Sequence, residues 1–306
     1  MKSIPFSFRQ IDYLLAVADT GSTAAAARML NVSQPSVSIA VTQLEAHFGE
    51  TLFFRLPGQG MRPTPFGRDR ISRLRGLRAE ANVHFGTSQN LGQELRLGVF
   101  STLGPRYAPT LMRSYADAYP GDTVRLMEGD ISTLTNDVLT GALDLALVYD
   151  VGLPAGLEVT WLADIPPRAV LPLGHRLAGQ AAVDLRDLAA DPLILIGLPH
   201  SRGYFLSLFQ SVGARPEIAA ETGSIEMLRS LVANGHGVGV LATDLPYDCT
   251  YDGRTVISRP VAGTPLPSRV VLIRSIRVRP TEAITRFTTL TREVISAVRT
   301  EDSSTR

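Results

Sequence analysis

Cysteine is almost missing from this chain: Cys249 stands alone among 306 residues. One thiol rules out an intrachain disulfide framework and a paired-thiol switch, and it suits a reducing compartment. Cys249 lies in the run Tyr247-Asp248-Cys249-Thr250-Tyr251 with no His or Lys beside it to stabilise a thiolate, so an unreactive loop thiol is expected. Long apolar runs are missing as well. None approaches the ~20 residues that span a bilayer, and the N-terminus lacks the apolar core of a secretory signal. The expectation is a cytoplasmic protein without a membrane partner.

Clusters that carry chemistry are equally scarce. His47, His84, His175, His200 and His236 are scattered without ligand spacing, so no metal is expected. No Gly-x-Ser-x-Gly elbow supports a nucleophilic serine. The glycines of Gly235 to Gly239 follow a helical pattern and precede a strand, the reverse of a dinucleotide loop, and suit a helix C-cap instead. No cofactor and no catalytic residue are expected, and the chain does not read as an enzyme.

What is present is an ordinary globular composition, 44% hydrophobic and 19% charged, with room for two or three domains. The net charge of +1 conceals an asymmetry. Residues 1–90 carry ten Lys/Arg against six Asp/Glu, and residues 91–306 carry twenty against twenty-three. A polyanion contacted by the N-terminal end alone fits that distribution.

The densest pattern runs from Thr23 to Glu45. Ala26, Ala27 and Leu30 give a first short helix an apolar edge, Asn31 tolerates a helix C-terminus, and Ser33 is a good N-cap with Pro35 in the first turn of a second helix. Val37, Val41, Leu44 and Phe48 then recur at helical spacing. The far side of that helix holds Pro35, Ser38, Ile39, Thr42 and Ala46, which are small or uncharged and could approach base edges. Two such helices alone would equally suit a hairpin that merely packs. The continuation favours a helix-turn-helix: Leu52-Phe53-Phe54-Arg55, a Pro-Gly-Gln-Gly turn and Met61-Arg62-Pro63-Thr64-Pro65 spell two short strands with an Arg on each, a basic wing. An opening helix from Phe8 to Ala18 buries Ile11, Leu14, Leu15 and Ala18, with Arg9 and Gln10 in its first turn as phosphate contacts or plain solvated residues.

On the Ala24 to Ala27 run with Leu30, Val32-Ser33-Gln34-Pro35-Ser36-Val37-Ser38, Leu44-Glu45, Phe48-Gly49, Leu52-Phe53, Arg55, Arg62, Thr64, Pro65 and Gly67, residues 8–67 resemble the N-terminal winged helix-turn-helix of LysR-type transcriptional regulators. Two positions depart from the pattern: Ile39 stands where the family often has Arg or Gln, and Phe54 where it often has Glu or Asp. With the exposed helix face, the resemblance implies DNA contacts by Arg9, Ser33, Gln34, Pro35, Ser36, Ser38, Ile39, Thr42, Arg55 and Arg62.

From Phe66 to about Phe85 a long helix is expected, with Ile71, Leu74, Ala81 and Phe85 as a thin apolar seam and Arg68, Arg70, Arg73, Arg75 and Arg78 between them. Such a helix wants a partner. The resemblance implies antiparallel pairing with the same helix of a second subunit; the competing expectation is a helix lying on the neighbouring domain. Gly86 to Gln93 reads as a hinge. The expected division is residues 1–65 for the winged helix-turn-helix, 66–90 for the linker (dimerisation) helix and hinge, and 91–306 for a C-terminal domain.

After Leu95 strands alternate with helices in βαβαβ order, which argues for α/β lobes with parallel sheets. Gly141-Ala142-Leu143-Asp144-Leu145-Ala146 and Gly235-His236-Gly237-Val238-Gly239-Val240-Leu241 resemble the effector-binding domain of the same family, a two-lobed α/β fold of periplasmic-binding-protein type. Ligands commonly sit between such lobes. Candidate effector residues lie at strand-to-helix junctions, where free N–H groups gather: Ser101, Thr102, Asp130, Tyr149, His200, Ser201, Arg202 and Ser224, with Tyr204 and Phe205 as an apolar side. Each Ser could instead be only an N-cap, and Arg202 only a surface residue paired with an acid such as Glu226. Taken together, the resemblance implies a DNA-binding transcriptional regulator whose partners are double-stranded DNA, a small-molecule effector (a small organic acid if Arg202 holds it), a second or further copies as homodimer or homotetramer, and RNA polymerase. The rival is a binding protein or enzyme built on the α/β domain, which leaves the first sixty residues unexplained.

Overall fold

The computed structural model describes residues 5–56, 60–85, 93–243 and 247–304. Its N-terminal head consists of α1 (Phe8–Thr20), α2 (Thr23–Met29), α3 (Gln34–Phe48), and an antiparallel wing of β1 (Phe53–Leu56) and β2 (Gly60–Pro63). Local chemistry places each boundary. Ser7 and Gln10 form a capping box on α1, and Ser22 and Ser33 cap α2 and α3. Gly21 and Gly49, both left-handed, stop α1 and α3. Asn31 takes the left-handed turn between α2 and α3 at φ 54°, which returns the Val32 N–H to the Ala27 carbonyl at 3.0 Å.

The wing is seated by backbone rather than by side-chain bulk. Met61 N–H donates to the Gly21 carbonyl at 2.7 Å, and a Cβ on Gly60 would lie 2.6 Å from that same oxygen. The Glu45 carboxylate accepts from Leu52 N–H at 2.8 Å and Phe53 N–H at 3.3 Å, tying the first wing strand to α3. Thr64 then starts α4 (Pro65–Phe85): its hydroxyl accepts from Gly67 N–H at 2.8 Å.

The first half of the apolar seam of α4, Ile71 and Leu74, corrects an expectation, while the Phe85 side chain at its end lies outside the described residues. Ile71 (2% exposed) and Leu74 (7%) do not face a second subunit or the neighbouring domain; they are buried in the head core with Ile11, Leu14, Val37 and Leu44. Three short helices enclose too little apolar volume alone, and α4 supplies the missing wall. Most of the arginines on α4 are also spent inside the chain. Arg70 lies over the rings of Phe48 and Phe66, Arg73 pairs with Asp69, Arg75 with Asp19 and Arg78 with Asp12. The hinge expected at Gly86 to Gln93 lies, but for Gln93, outside the described residues.

The C-terminal part has two α/β lobes. The first contains β3 (Glu94–Phe100), α5 (Gly104–Ala118), β4 (Thr123–Gly129), α6 (Ile131–Leu139), β5 (Leu145–Tyr149) and β6 (Leu157–Ile165). The chain then crosses to β7 (Arg168–Pro172), α7 (Leu185–Leu188), β8 (Leu193–Ile196), α8 (Ser201–Ser211), β9 (Ile218–Thr222), α9 (Ile225–Ala233), β10 (Val238–Leu241) and β11 (Val256–Pro260). It returns as β12 (Ser268–Ser275) and ends in α10 (Glu282–Ser304), which packs on α5 with Phe287 edge-on to Tyr115. Sheet orders are β4-β3-β5-β12-β6 and β11-β7-β10-β8-β9. The sheets are mixed rather than parallel, because β12 and β7 enter their lobes from the crossing side, where β5 and β10 leave. β12 therefore runs antiparallel to β5, and β7 to β10. Among the described residues no helix is long and apolar enough to cross a membrane.

Burial of Leu74 in the head makes a definite prediction. Leu74→Asp places an unpaired charge in that core and should cost about 3–5 kcal/mol, whereas Leu77→Asp, at a position 43% exposed, should leave the head folded. Chemical denaturation followed by circular dichroism separates the two. A Leu74→Asp protein of unchanged stability and reduced mass would return Leu74 to a subunit interface.

Candidate functional site

Two surfaces concentrate the candidate residues. On the head, the face of α3 opposite Val37, Ala40, Val41 and Leu44 carries Pro35, Ile39, Thr42 and Ala46, all exposed and spaced as one helical stripe. Ser38 flanks the stripe and is half-buried, not fully exposed as expected. Several polar candidates are engaged within the head. Ser33 Oγ accepts from Ser36 N–H at 3.3 Å and shares a 2.7 Å hydrogen bond with the Ser36 hydroxyl. Gln34 donates to Thr23 Oγ1 at 3.2 Å, and the Thr42 hydroxyl donates to the Ser38 carbonyl at 3.1 Å. Arg9 is exposed in the first turn of α1. Arg55 and Arg62 are exposed on opposite faces of the wing ribbon, since Arg55 stands across from Met61 and Arg62 from Phe54. Arg55 is also within 3.5 Å of Glu45.

The second surface is the cleft between the lobes, a cavity with about 500 Å3 of empty space when its open mouth is included. From the first lobe it is lined by Phe100, Thr102, Ile131, Tyr149 and Val151, and from the second by Ile196, Pro199, His200, Ser201, Tyr204, Phe205, Ile225, Leu241, Ala242 and Thr243; Ser268 lies where the chain returns. Six of the ten expected effector residues are therefore brought together: Thr102, Tyr149, His200, Ser201, Tyr204 and Phe205.

The other four are not. Ser101 stays outside the lining, and neither it nor Thr102 caps a helix: α5 begins at Gly104 after Leu103, with Pro105 in the first turn, so residues 101–103 form a turn of their own. Asp130 caps α6, accepting from Ser132 N–H at 2.8 Å and Thr133 N–H at 2.9 Å, and those hydrogen bonds, Thr133 first, hold its carboxyl below the ordinary range. Ser224 caps α9 through Met227 N–H. Arg202 pairs with Glu221 at 3.0 Å, not with Glu226, and does not reach the lining. Glu226 instead holds Arg229.

Among the described residues the lining contains no Arg, Lys, Asp or Glu. Its polar groups are hydroxyls, one imidazole and backbone. Tyr149 donates across the cleft to the Ala242 carbonyl at 3.1 Å, and Tyr204 donates to the Leu266 carbonyl at 2.8 Å. Burial pushes both phenols above their usual range, so they stay neutral donors; the Thr102 and Thr243 hydroxyls oppose the shift at Tyr149. Thr243, 4% exposed, has its Oγ1 buried without a well-formed hydrogen bond. Residues after β10 were not anticipated from sequence, although Thr243 occupies the same kind of strand exit as Thr102.

His200 marks where the lobes meet. It precedes α8 in a left-handed conformation, φ 66°, unusual for a side chain with a Cβ. Its ring rests against Gly152 of the first lobe, where an added Cβ would come 2.8 Å from Nδ1. Gly152 is itself left-handed at φ 63°. Gly152→Ala should thus cost about 1–2 kcal/mol from its backbone alone, plus the clash with the ring. His200→Ala in the same chain should recover the clash part and leave the backbone part. Denaturation midpoints of the single and double variants check this; strictly additive losses would mean the ring and Gly152 do not meet.

Similarity to known proteins follows the same two-part division. Residues 8–68 match the model described as bacterial regulatory helix-turn-helix protein, lysR family, and residues 88–296 match the LysR substrate binding domain. The chain is 33% identical over 244 residues to the small neutral protease regulatory protein of Streptomyces coelicolor, covering 76% of this chain and 72% of that protein. Among solved structures it resembles HinK, a LysR family transcriptional regulator from Pseudomonas aeruginosa, at 34% identity and TM-score 0.65, over 95% of this chain and 99% of that one. The fold is also that of full-length CbnR in complex with its target DNA, at 23% identity and TM-score 0.57, over 95% of this chain and 100% of that one.

Proposed function

The chain belongs to the LysR family of bacterial transcriptional regulators, and on that premise we propose that its head binds duplex DNA through α3 and the wing while its interlobe cleft senses a small molecule. Two or four copies would present paired heads to one operator. Arg9, Arg55 and Arg62 serve as phosphate contacts, and the stripe on α3 faces the base edges. Occupation of the cleft biases the angle between the lobes, and thereby the spacing or bend of the DNA the paired heads hold.

For the effector, the observation that carries the reading is the cluster of the Thr102, Tyr149 and Thr243 hydroxyls set among apolar walls in the cleft. A ligand that forms a well-aligned hydrogen bond with the Thr243 hydroxyl gains about 0.5–1.5 kcal/mol, since the contact that hydroxyl makes with Tyr149 is not well formed. Phe100, Ile131, Phe205 and Ile225 provide the apolar walls. The ligand class these walls favour is a compact organic molecule with an apolar body and one hydrogen-bonding end. A small organic acid was the expectation while Arg202 was to supply the cation. With Arg202 held by Glu221, a carboxylate would meet, among the described residues, hydroxyls, the His200 ring and the N-terminus of α8.

A thermal-shift screen of small metabolites tests the cleft. At a concentration 100 times its Kd a ligand adds about 2.7 kcal/mol of stability, and Thr243→Val and Thr102→Val should each remove most of that gain without lowering the stability of the unliganded protein. A ligand that stabilises both variants as it does the parent binds elsewhere. For the head, Arg55→Ala should weaken all duplexes alike and reduce the salt slope by about one; a loss confined to one sequence would make Arg55 a base-reading residue.

A further inference from the structure

We propose that α3 reads its operator chiefly through thymine methyl groups, with Ile39 as the residue that sets this specificity; the inference rests on the DNA-binding reading above and refines it. The recognition face is unusual for a surface bound by a polyanion. Pro35, Ile39, Thr42 and Ala46 form an exposed stripe without a charge, and Ile39 is 57% exposed. Because Val37, Ala40, Val41 and Leu44 are buried on the opposite side, α3 carries aliphatic side chains on two faces, the exposed one flanked by Gln34, Ser36 and Gln43. An exposed aliphatic side chain as large as Ile39 at the middle of such a face suits a partner surface with an apolar group of its own.

Hydroxyls do not change the character of the stripe. The Thr42 donor is spent on the Ser38 carbonyl, and the Ser36 hydroxyl is shared with Ser33. At the start of the face the Gln34 amide donates to Thr23, and Gln43, one turn after Ile39, is turned to α1, where its carbonyl accepts from Gln10 at 2.6 Å. What Pro35, Ile39 and Ala46 offer a base edge is methyl and methylene surface. In the major groove one base presents a matching group, the C5-methyl of thymine, whereas guanine and cytosine present only polar edges there.

Charge complementarity selects DNA rather than a protein partner as the occupant. Arg9 on α1, Arg28 in the last turn of α2 and Arg62 on the wing are exposed and have no ion-pair partner among the described residues, so this end of the head carries unspent positive charge around an apolar strip. Phosphates meet the arginines, and the groove between them meets the stripe.

The full chain and a randomised duplex library supply the test. Duplexes enriched by the wild-type protein are resynthesised with deoxyuridine in place of thymidine, one position at a time, which removes a single methyl group. At one or two positions in each half-site the loss should be about fourfold, the value of one buried methyl-sized group. Ile39→Ala should bind the thymidine and deoxyuridine forms of those positions equally, and Ile39→Gln should enrich a different base there. Both variants should keep the wild-type denaturation midpoint, because Ile39 is outside the core. Equal binding of both forms by the wild type, or an undiminished difference in Ile39→Ala, overturns methyl readout while leaving DNA binding intact. A library from which nothing is enriched overturns the DNA-binding reading and this inference with it.

Discussion

One guanidinium holds the three parts of the chain in register. Arg75, midway along α4, pairs with Asp19 at the end of α1 and donates to the Gly141 carbonyl of the first lobe at 2.5 Å. The side chain is nearly buried, and desolvation draws its pKa down while Asp19 opposes the shift. An arginine remains charged under these conditions, so the site is bound to keep both partners: losing either leaves a buried charge only partly compensated. Asp69 with Arg277 at 2.7 Å, and Val278 over Gly76, make further links between α4 and the lobe. The head is therefore docked on its own effector domain, not suspended from a bare helix.

The position of that docking point relates the cleft to the head. Gly141 opens the turn that leads into β5, and Asp144 in the same turn is bonded to Arg96 at 2.6 Å. The far end of β5 is Tyr149, whose hydroxyl crosses the cleft to Ala242. A single five-residue strand at the centre of the first lobe thus connects the Arg75 acceptor with the cleft wall. The strand is a stiff, fully buried element for most of its length, which makes it suited to carrying a small displacement from one end to the other.

Charge is distributed differently from what composition implies. The basic excess of the first ninety residues looks like a broad DNA-binding patch, yet Arg70, Arg73, Arg75 and Arg78 are engaged with rings or carboxylates of the same chain. The cleft shows the complementary economy: among the described residues its lining offers hydroxyls, one imidazole and apolar walls and no side chain with a formal charge.

Sequence alone determined what depends on near neighbours. Ser7, Ser22 and Ser33 as caps, Gly21 and Gly49 as stops, the helical spacing of Val37, Val41 and Leu44, and the wing turn are local signals, because capping and periodicity act within a few residues. The winged head and the alternation of strands and helices were legible for that reason, as were Thr102, Tyr149 and His200 at strand-to-helix junctions. Tertiary structure decided which partner each side chain found. Leu74 has the same spacing whether it faces a second subunit or α1; Arg202 has the same helix position whether it meets a ligand or Glu221; β12 is the same short apolar run, Val270 to Ile273, whichever way it runs. Thr243 acquires its meaning only when β10 brings it against Tyr149, 94 positions away. These outcomes are set by contacts between distant segments, where the burial of area and charge is shared among elements whose order in the chain does not specify who meets whom.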